Sequence, residues 1–296
     1  MSDVRTMEQP EVSRKQARCG LCVIVLAHNE ERRIGACLAS LPIGQDGTAV
    51  HVVVNGSSDR TAHIARTYGG VTVHDWEQGG KSRSWNRIMF DTPAIEAQTY
   101  AFVDGDAEVL PGSFDALVDA LAESGANAAS GLPANGRKAG VYRESIMRDH
   151  GLFGDLYALS GDFVTRMRAA GARLPEDLIG DDGLIGALAK TDLAAEGNWD
   201  NARVVPVAGA QFLCEPVGLH LRDLRLQARR MRNYSVRHFQ NRMISQIMRG
   251  QGPGGLPRRL AEIYPEFLPG LRPRRNPLLW WFDRQALDSM RRAAAA

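Results

Sequence analysis

The first half of the chain repeats one local pattern four times: a short apolar run, a polar loop, then a stretch whose apolar residues recur at helical spacing. The runs are "LCVIVLA" at 21–27, "AVHVVVN" at 49–55, "GVTVHDW" at 70–76 and "TYAFVD" at 99–104. Continuous apolar runs rich in β-branched residues are typical of strands that are buried on both faces of a parallel sheet. Their alternation with helices therefore predicts an α/β layered fold with right-handed crossovers.

The second half follows this alternation less regularly. "ANAASGLP" at 126–133 predicts a further strand, and "ESIMRDHGLFGDLYAL" at 144–159 predicts a helix. Residues 221–250 have the pattern of one long amphipathic helix, which "QGPGGLPRR" at 251–259 should end.

Charge divides the chain near residue 220. The net charge is +2, but residues 221–296 hold sixteen arginines, no lysine and five acids, a net charge of +11, which leaves −9 for residues 1–220. This shift predicts a boundary, with a polar tail at 1–18, a main domain at 19–220 and a basic helical segment at 221–296. A segment so rich in arginine attracts phosphates, whether these belong to nucleic acid, to lipid headgroups or to a phosphorylated acceptor.

Cysteine usage and apolar run length indicate a cytoplasmic protein. The four cysteines, at 19, 22, 37 and 214, include one C-x-x-C but no second one to complete a zinc site, so we expect free thiols. No apolar run approaches the roughly 20 residues of a membrane-spanning helix. The "LLWWF" at 278–282 stands beside arginines, however, and is either a peripheral membrane anchor or part of the packing of the C-terminal segment.

Four distinctive loops follow predicted strands: "AHNEE" at 27–31, "NGSSD" at 55–59, "EQGGKSRSWN" at 77–86 and "DGD" at 104–106. In an open parallel sheet, ligands bind at the carboxyl ends of the strands, so we expect these loops to lie along one edge. Asp104 and Asp106 project to the same side of an extended segment and are suited to one hard cation, although Asp and Gly are also common turn formers.

The order of these loops resembles that of the family 2 glycosyltransferases. "VLAHNEE" at 25–31 matches a strand followed by xNEE, "VNGSSDRT" at 54–61 matches DDGSxDxT, and "GGKSRSWN" at 79–86 matches GKxxAxN. "DGD" matches the DxD motif, "DDGL" at 181–184 the late acidic pair, and "QARRM" at 227–231 the QxxRW element. No G-x-G-x-x-G follows the first strand and no P-loop motif is present, so neither of those nucleotide folds has support.

The resemblance implies a GT-A fold that joins a nucleotide-binding half, about 19–106, to an acceptor half, about 107–220. Two departures are evident, because Val54-Asn55 stands where two acids are usual and Met231 replaces a Trp. Asn55 would then bind the base or ribose through its amide. The QxxRW element is most typical of processive synthases, which also carry membrane helices. Because no membrane helix is predicted here, transfer of a single sugar is favoured.

The resemblance also implies a Mn²⁺ or Mg²⁺ site. Asp106 would be the main metal ligand, and Asp104 would bind the ribose or the same ion. His220 is a candidate third ligand, although a lone His beside apolar residues is more often structural.

Further positions are expected to bind the nucleotide-sugar by the same resemblance. The alternative role of Glu30 is a negative charge that stabilises the N-terminus of the following helix. The alternative for Lys81 is a solvated surface lysine. Asp59 would contact the base, or else cap the next helix. Arg229 and Arg230, together with Gln227, would bind the diphosphate or the acceptor, or else form the solvated face of a basic helix. The remaining expected contacts are Ala27, Asn29, Ser57 and Gly80.

The transfer needs a base to take the proton of the acceptor hydroxyl. Four acids compete in "LPEDLIGDDGL": Glu176, Asp177, Asp181 and Asp182. The family's base aligns with Asp182, and Asp181 is the second candidate. The alternative is that the pair only caps the following helix.

These observations together predict a metal-dependent, inverting glycosyltransferase that uses a nucleotide-diphospho-sugar, first a UDP-sugar. Its acceptor would be a hydroxyl in glycan, glycolipid or cell-envelope synthesis, at the inner face of the membrane or free in the cytoplasm. The alternatives are a nucleotidyltransferase of similar fold, and a catalytically silent basic module that binds anionic membrane. Nucleic acid is the less favoured partner.

Overall fold

The computed structural model describes residues 19–92, 95–214 and 221–295, and for 221–226 it describes the backbone only. The predicted tail at 1–18 and His220 lie outside the described residues. The strands, in chain order, are β1 Cys19–Ala27, β2 Thr48–Asn55, β3 Val71–Trp76, β4 Ala97–Asp104, β5 Glu108–Val109, β6 Ala128–Pro133, β7 Leu156–Ser160 and β8 Val204–Leu213.

In the described ranges, ten α-helices connect or follow these strands. They are α1 Ile34–Ala39, α2 Thr61–Ala65, α3 Lys81–Asn86, α4 Ser113–Ser124, α5 Ala139–Asp149, α6 Gly161–Ala170, α7 Asp181–Thr191, α8 Leu221–Gly250, α9 Tyr264–Phe267 and α10 Pro277–Ala294. One π-turn at Arg87–Asp91 continues α3, and short 3₁₀ turns lie at Glu196–Asn198, Asn201–Arg203, Gly252–Gly255, Leu260–Ile263 and Leu268–Gly270.

The strands form one mixed sheet in the order β3-β2-β1-β4-β7-β6-β8-β5. The four strands β1 to β4 are mutually parallel, as is the pair β6 and β8. Strand β7 runs antiparallel to both β4 and β6, and β5 runs antiparallel to β8. The prediction of a mostly parallel α/β sheet with flanking helices is confirmed.

The prediction of helix throughout 144–159 is wrong in its second part. Helix α5 ends at Asp149, and His150 takes a left-handed conformation with φ 50° that closes its last turn. Leu156–Ser160 then enters the sheet as β7, where its first four residues are buried. A short apolar run that is covered on both sides has no periodicity by which a strand is distinguished from a helix.

The sheet divides the apolar interior into two layers. Alternate residues of β1 point to opposite sides, so that Ile24 and Leu26 pack in one layer while Val23 and Val25 pack in the other. Helices α8 and α10 belong to the first layer, because Phe239 and Met290 pack with the residues that cover β1 and β4. The basic segment therefore shares a core with the sheet, although the charge of the chain changes near 220.

Helix α8 runs from 221 to 250 and ends at the glycine-rich stretch, as the sequence predicts, and that stretch forms a 3₁₀ turn. The four cysteines are free thiols, also as predicted. Within the described residues, no helix combines the length and the apolar character needed to cross a bilayer.

Candidate active site

A pocket of about 510 Å³ opens at the carboxyl ends of the parallel strands. All four of the polar loops that follow β1 to β4 contribute to its wall, which confirms that they lie along one edge of the sheet. The opposite wall comes from residues 176–180 and from α8. Its lining residues are Leu26, His28, Glu30, Asn55, Gly80, Lys81, Asp104, Gly105, Asp106, Glu176, Asp177, Leu178, Ile179, Gly180, Arg229 and Asn233.

Close packing explains the glycine between the two aspartates. The Gly105 N–H donates to the Leu26 carbonyl at 2.9 Å, which holds the end of β4 against β1. A Cβ atom at position 105 would lie 2.7 Å from the Cβ of Ala27, a distance that real side chains do not tolerate. Ala27 is fully buried and its side chain packs beneath this turn. Asp104 and Asp106 therefore flank a tight contact and both line the pocket.

Lys81 joins two acidic segments that are far apart in sequence. Its Nζ lies 2.6 Å from Asp104 Oδ1 and 3.4 Å from Asp181 Oδ1, and its side chain is about one-third exposed (32%). Burial opposes the charged form, but Asp104 and Asp181 outweigh burial and hold the pKa of Lys81 above its ordinary value. Lys81 is thus a fixed cation inside the pocket, which excludes the solvated alternative.

Asp181 and Asp182 occupy the first turn of α7, but neither caps the helix by a side-chain hydrogen bond, because Gly180 takes the N-cap position. Asp181 is 2% exposed, and its Oδ2 is buried without a hydrogen-bond partner among the described residues. Asp182 Oδ2 accepts a hydrogen bond from Arg237 Nη2 of α8 at 3.0 Å. The capping alternative therefore does not account for the contacts of either carboxylate.

Gly180 makes the approach of Arg237 possible. The residue has φ 87°, and a Cβ atom there would collide with the Arg237 side chain. Gly154, on the loop before β7, is less tightly packed, because a Cβ atom at that position would stand in ordinary contact, 3.4 Å from Lys81 Nζ and 3.7 Å from Asp182 Cγ. Backbone thus lines the site on two sides of Asp182.

The two other acids of this segment have structural partners. Glu176 accepts hydrogen bonds from Arg83 Nε at 3.0 Å and from Arg258 Nε at 2.7 Å. Asp177 accepts from the backbone N–H groups of Leu260 and Ala261 at 2.6 and 2.9 Å. These contacts attach the segment after α8 to the rim, and they leave Asp181 and Asp182 as the candidates for the base.

Several residues expected to bind nucleotide bond the first two loops to each other. The Asn29 N–H donates to Ser57 Oγ at 3.0 Å, and Asn29 Oδ1 accepts from the Ser58 N–H at 2.9 Å. Asp59 accepts from the Thr61 N–H at 3.0 Å and from the Glu31 N–H at 3.1 Å. Burial raises the pKa of Asp59, but the hydrogen bonds from Thr61 and Glu31 lower it by more, so that it lies below its ordinary value.

The amide of Asn55 is also engaged by backbone. Its Nδ2 donates to the Ala27 carbonyl at 3.0 Å, and its Oδ1 accepts from the Gly80 N–H at 3.3 Å. Asn55 is 5% exposed, so the amide that we expected at the base or ribose links three of the four rim loops. On α8, Arg229 lines the pocket, whereas Arg230 and Gln227 do not.

Sequence reasoning missed Asp155 and Arg237. Asp155 lies before β7, and its carbonyl accepts from the Asp104 N–H at 3.2 Å. Its Oδ2 accepts from the thiol of Cys214 at 3.0 Å. The pKa of Asp155 lies above its ordinary value. Burial raises it most, the hydrogen bond from Cys214 lowers it, and the nearby charge of Asp106 raises it. No local signal marks either residue, although Arg237 lies on α8 about two turns after the pocket residue Arg229.

The donor atoms of the pocket suit a hard divalent cation. Asp104 and Asp106 offer carboxylate oxygens, which Mg²⁺ and Mn²⁺ prefer. Within the described part of the chain, no three His, Cys, Asp or Glu side chains are grouped closely enough to hold an ion by themselves. Ions such as Mg²⁺ commonly use one or two carboxylates and complete their shell with substrate phosphates and water, so the residues present fit this mode of binding.

Comparison with known proteins agrees with this geometry. The family model described as "Glycosyl transferase family 2" matches residues 22–173, which include the four rim loops and Asp155. The chain belongs to glycosyl transferase family 2. A curated relative, the 4,4'-diaponeurosporenoate glycosyltransferase of Staphylococcus aureus, is 45% identical over 95 residues, 30% of this chain. The match spans about a quarter of that relative's length (24%).

Solved structures share the fold over most of the chain. The mannosyltransferase PcManGT from Pyrobaculum calidifontis, in complex with GDP-Man and Mn²⁺, superposes with a TM-score of 0.58 at 20% identity, covering 95% of this chain and 79% of that one. TarS 1–349 of S. aureus, in complex with UDP-GlcNAc, gives a TM-score of 0.53 at 16% identity over 93% and 90% of the two chains. A glucosyl-3-phosphoglycerate synthase from Mycobacterium tuberculosis, with Mn²⁺ and UDP-Glc, gives 0.52 at 18% identity and 78% coverage of each chain.

Proposed function

We propose that this chain is a metal-dependent, inverting glycosyltransferase that moves a sugar from a nucleotide-diphospho-sugar to an acceptor hydroxyl. One observation carries the proposal. Lys81 links Asp104 of the first acidic motif to Asp181 of the second, in a pocket at the carboxyl ends of the strands of a family 2 chain. This contact supports a donor site next to the second acidic pair, which contains the proposed base.

The donor's diphosphate would lie between Asp106 and Lys81. Asp106, with Asp104, would hold a Mg²⁺ or Mn²⁺ ion, which when bound neutralises charge on the leaving diphosphate. Lys81 adds a fixed positive charge at the same place, in a geometry that its two carboxylate partners set before substrate arrives. Arg229 offers a second cation at the mouth of the pocket and is suited to bidentate phosphate recognition.

Asp182 would be the base. The acceptor hydroxyl donates its proton to Asp182 while its oxygen bonds to the anomeric carbon, and the bond from that carbon to the diphosphate oxygen breaks with its electron pair going to the nucleoside diphosphate. Asp182 has the more accessible carboxylate, 13% exposed against 2% for Asp181. Arg237 fixes its orientation through Oδ2. Asp181 would instead hold Lys81 in place.

The proposed donor is a nucleoside-diphosphate sugar, and a UDP-sugar is the favoured candidate. Structures of this fold have been solved with GDP-Man, UDP-GlcNAc and UDP-Glc, so the fold accommodates both bases. The acceptor is proposed as a hydroxyl of a glycan, a glycolipid or another cell-envelope precursor.

Thermal unfolding with UDP, GDP, ADP or CMP, each with and without Mn²⁺, tests the donor site. A nucleotide at about 100 times its dissociation constant adds about 2.7 kcal/mol to native stability, which raises Tm by about 5–10 °C. We expect this rise for one nucleotide, only with Mn²⁺, and we expect Asp106→Ala to abolish it. Asp119→Ala, which removes an exposed carboxylate from α4, is the matched control and should keep the full rise.

The proposal fails if no nucleotide raises the Tm of the wild-type chain, or if Asp106→Ala responds to nucleotide and Mn²⁺ as the wild type does. If one nucleotide raises the Tm as expected, sugars linked to that nucleotide are the donors to use in assays of transfer.

A further inference from the structure

Helix α10 presents two unlike faces. Phe282, Ala286, Leu287 and Met290 are buried against the rest of the molecule, as is the carboxylate of Asp283. At its N-terminal end, Leu278, Trp280 and Trp281 are exposed by 62%, 42% and 53%. Large apolar side chains so exposed and so close together are unusual on a soluble surface. We call Leu278, Trp280 and Trp281 the tryptophan tip.

Arginines surround the tryptophan tip. Arg272, Arg275 and Arg284 are exposed, and the guanidinium of Arg284 lies 5.0 Å from the centre of the Trp280 ring. A cavity of about 330 Å³ adjoins Trp280 and is lined by Arg272, Arg284 and Arg291. The one carboxylate in its wall, Asp288, is paired with Arg291 at 2.6 Å. The cavity therefore carries a net positive charge.

The tip is held rigidly. Asn276 caps the helix, with its Oδ1 accepting from the N–H groups of Leu278 and Leu279 at 3.1 and 3.2 Å. Arg274 binds the buried Asp283 and Ser235 of α8, which fixes the preceding loop. Because Ser235 and Asp283 are fully buried and none of these anchors belongs to the tip, changes at the exposed tip should leave the fold intact.

We propose that the tryptophan tip binds the surface of an anionic phospholipid membrane. Trp280, Trp281 and Leu278 enter the headgroup region, where Trp is enriched in membrane proteins. The arginine-lined cavity beside Trp280 takes a lipid phosphate, for which guanidinium groups are the favoured partners. The net charge of +11 over residues 221–296 attracts such a membrane from a distance.

This occupant fits better than a second copy of the chain. A two-fold interface through the tip would bring Arg272, Arg275 and Arg284 of both copies together, and like charges repel. An anionic membrane offers both an apolar layer for Leu278, Trp280 and Trp281 and phosphate groups for the neighbouring arginines. Helix α8 also connects the tip to the pocket, because Ser235 bonds Arg274 while Arg229 and Asn233 line the pocket. A bound membrane would thus lie near the pocket, in accord with a lipid-linked acceptor if the proposed function holds.

Sedimentation of the full chain with two kinds of vesicle tests the proposal. One kind is phosphatidylcholine alone, and the other contains phosphatidylglycerol at about one lipid in three. We expect binding to the second kind at low salt, weaker binding at high salt, and little binding to the first. The double variant Trp280→Ala/Trp281→Ala should weaken binding about tenfold, and Arg272→Gln/Arg284→Gln about as much.

Two controls match these variants in exposure. Trp199→Ala removes a tryptophan that is 47% exposed elsewhere, and Arg249→Gln removes an arginine that is 68% exposed and paired with Glu196. Both should bind vesicles as the wild type does. The proposal is overturned if wild type does not bind the anionic vesicles, or if the tip variants bind as tightly as wild type. It is equally overturned if the tip variants only convert a dimer to a monomer in light scattering, or only weaken binding of a single-stranded oligonucleotide.

Discussion

The two sides of the candidate active site use their polar groups differently. In the loops at 28–31 and 55–61, Asn29, Ser57 and Asp59 bond to neighbouring backbone or side chains. In the two acidic motifs, by contrast, the carboxylates at 104, 181 and 182 are held, within the described residues, by Lys81 and Arg237, and Asp181 keeps one buried oxygen without a partner there. The first side is built for rigidity, and the second keeps its charge available for a ligand. Changes on the first side should therefore reduce stability, and changes on the second should reduce activity.

The largest effect is expected at Asp182. Asp182→Asn preserves shape but cannot accept the acceptor proton, so the transfer rate should fall by about 10²- to 10⁴-fold. Nucleotide binding should be retained, because the donor would contact the other end of the pocket. Initial rates of nucleoside diphosphate release with donor and acceptor measure the change, and Asp119→Asn is the control. If the rate of the variant stays within a factor of about three of the wild-type rate, Asp182 is not the base and Asp181 becomes the candidate.

A buried charge that does not line the pocket should affect stability alone. Asp283 is fully buried, and its two oxygens accept three hydrogen bonds from Arg274, at 2.6 to 2.9 Å. Asp283→Asn leaves Arg274 without its counter-ion and should cost about 3 kcal/mol, at the low end for broken buried pairs because Arg274 is partly exposed. The Tm should fall by about 6 °C or more.

Asp288→Asn breaks an exposed pair on the same helix and is expected to change stability by less than about 1 kcal/mol. Equal losses in the two variants would show that burial does not set the strength of these pairs.

Asn55 tests the rigid side of the rim. An aspartate is usual at this position in the family pattern, yet here the amide must donate to the Ala27 carbonyl. Asn55→Asp should cost about 1–3 kcal/mol, because a carboxylate offers no N–H and would face that carbonyl with its charge. The Tm and the KM for donor measured together distinguish the two roles. A stable variant with a raised KM would show that Asn55 contacts the nucleotide and does not mainly hold the loops.

The smallest effect concerns pH at the edge of the sheet. His51 of β2 and His74 of β3 share a hydrogen bond of 3.1 Å, and burial, with a contribution from His74, lowers the pKa of His51 to about 4. The unfolded chain takes up this proton near pH 6.5, so the stabilising effect is present above pH 6.5 and is lost as pH falls towards 4. The loss should be about 1 kcal/mol, given the partial exposure of the pair.

Urea unfolding at pH 7 and pH 5 measures this change in wild type and in His51→Gln. The variant should lose less stability than wild type between the two values. An identical loss in both proteins would assign the pH dependence to other groups.

The sequence alone determined the order of the elements and the composition of the rim. Apolar runs such as 21–27 identify strands because burial on both faces leaves a local, readable pattern, and the loops after them had to share one edge of a parallel sheet. The same locality explains the error at 156–160, where a four-residue apolar run fits either a strand or a helix.

Only the tertiary structure decided which polar groups meet. Lys81 contacts Asp181 across 100 positions of sequence, Arg237 reaches Asp182 only because residue 180 is glycine, and Asp155 enters the site through the antiparallel insertion of β7. The physical reason is that apolar periodicity acts within a few residues, whereas a hydrogen bond depends on the positions of two groups that packing brings together.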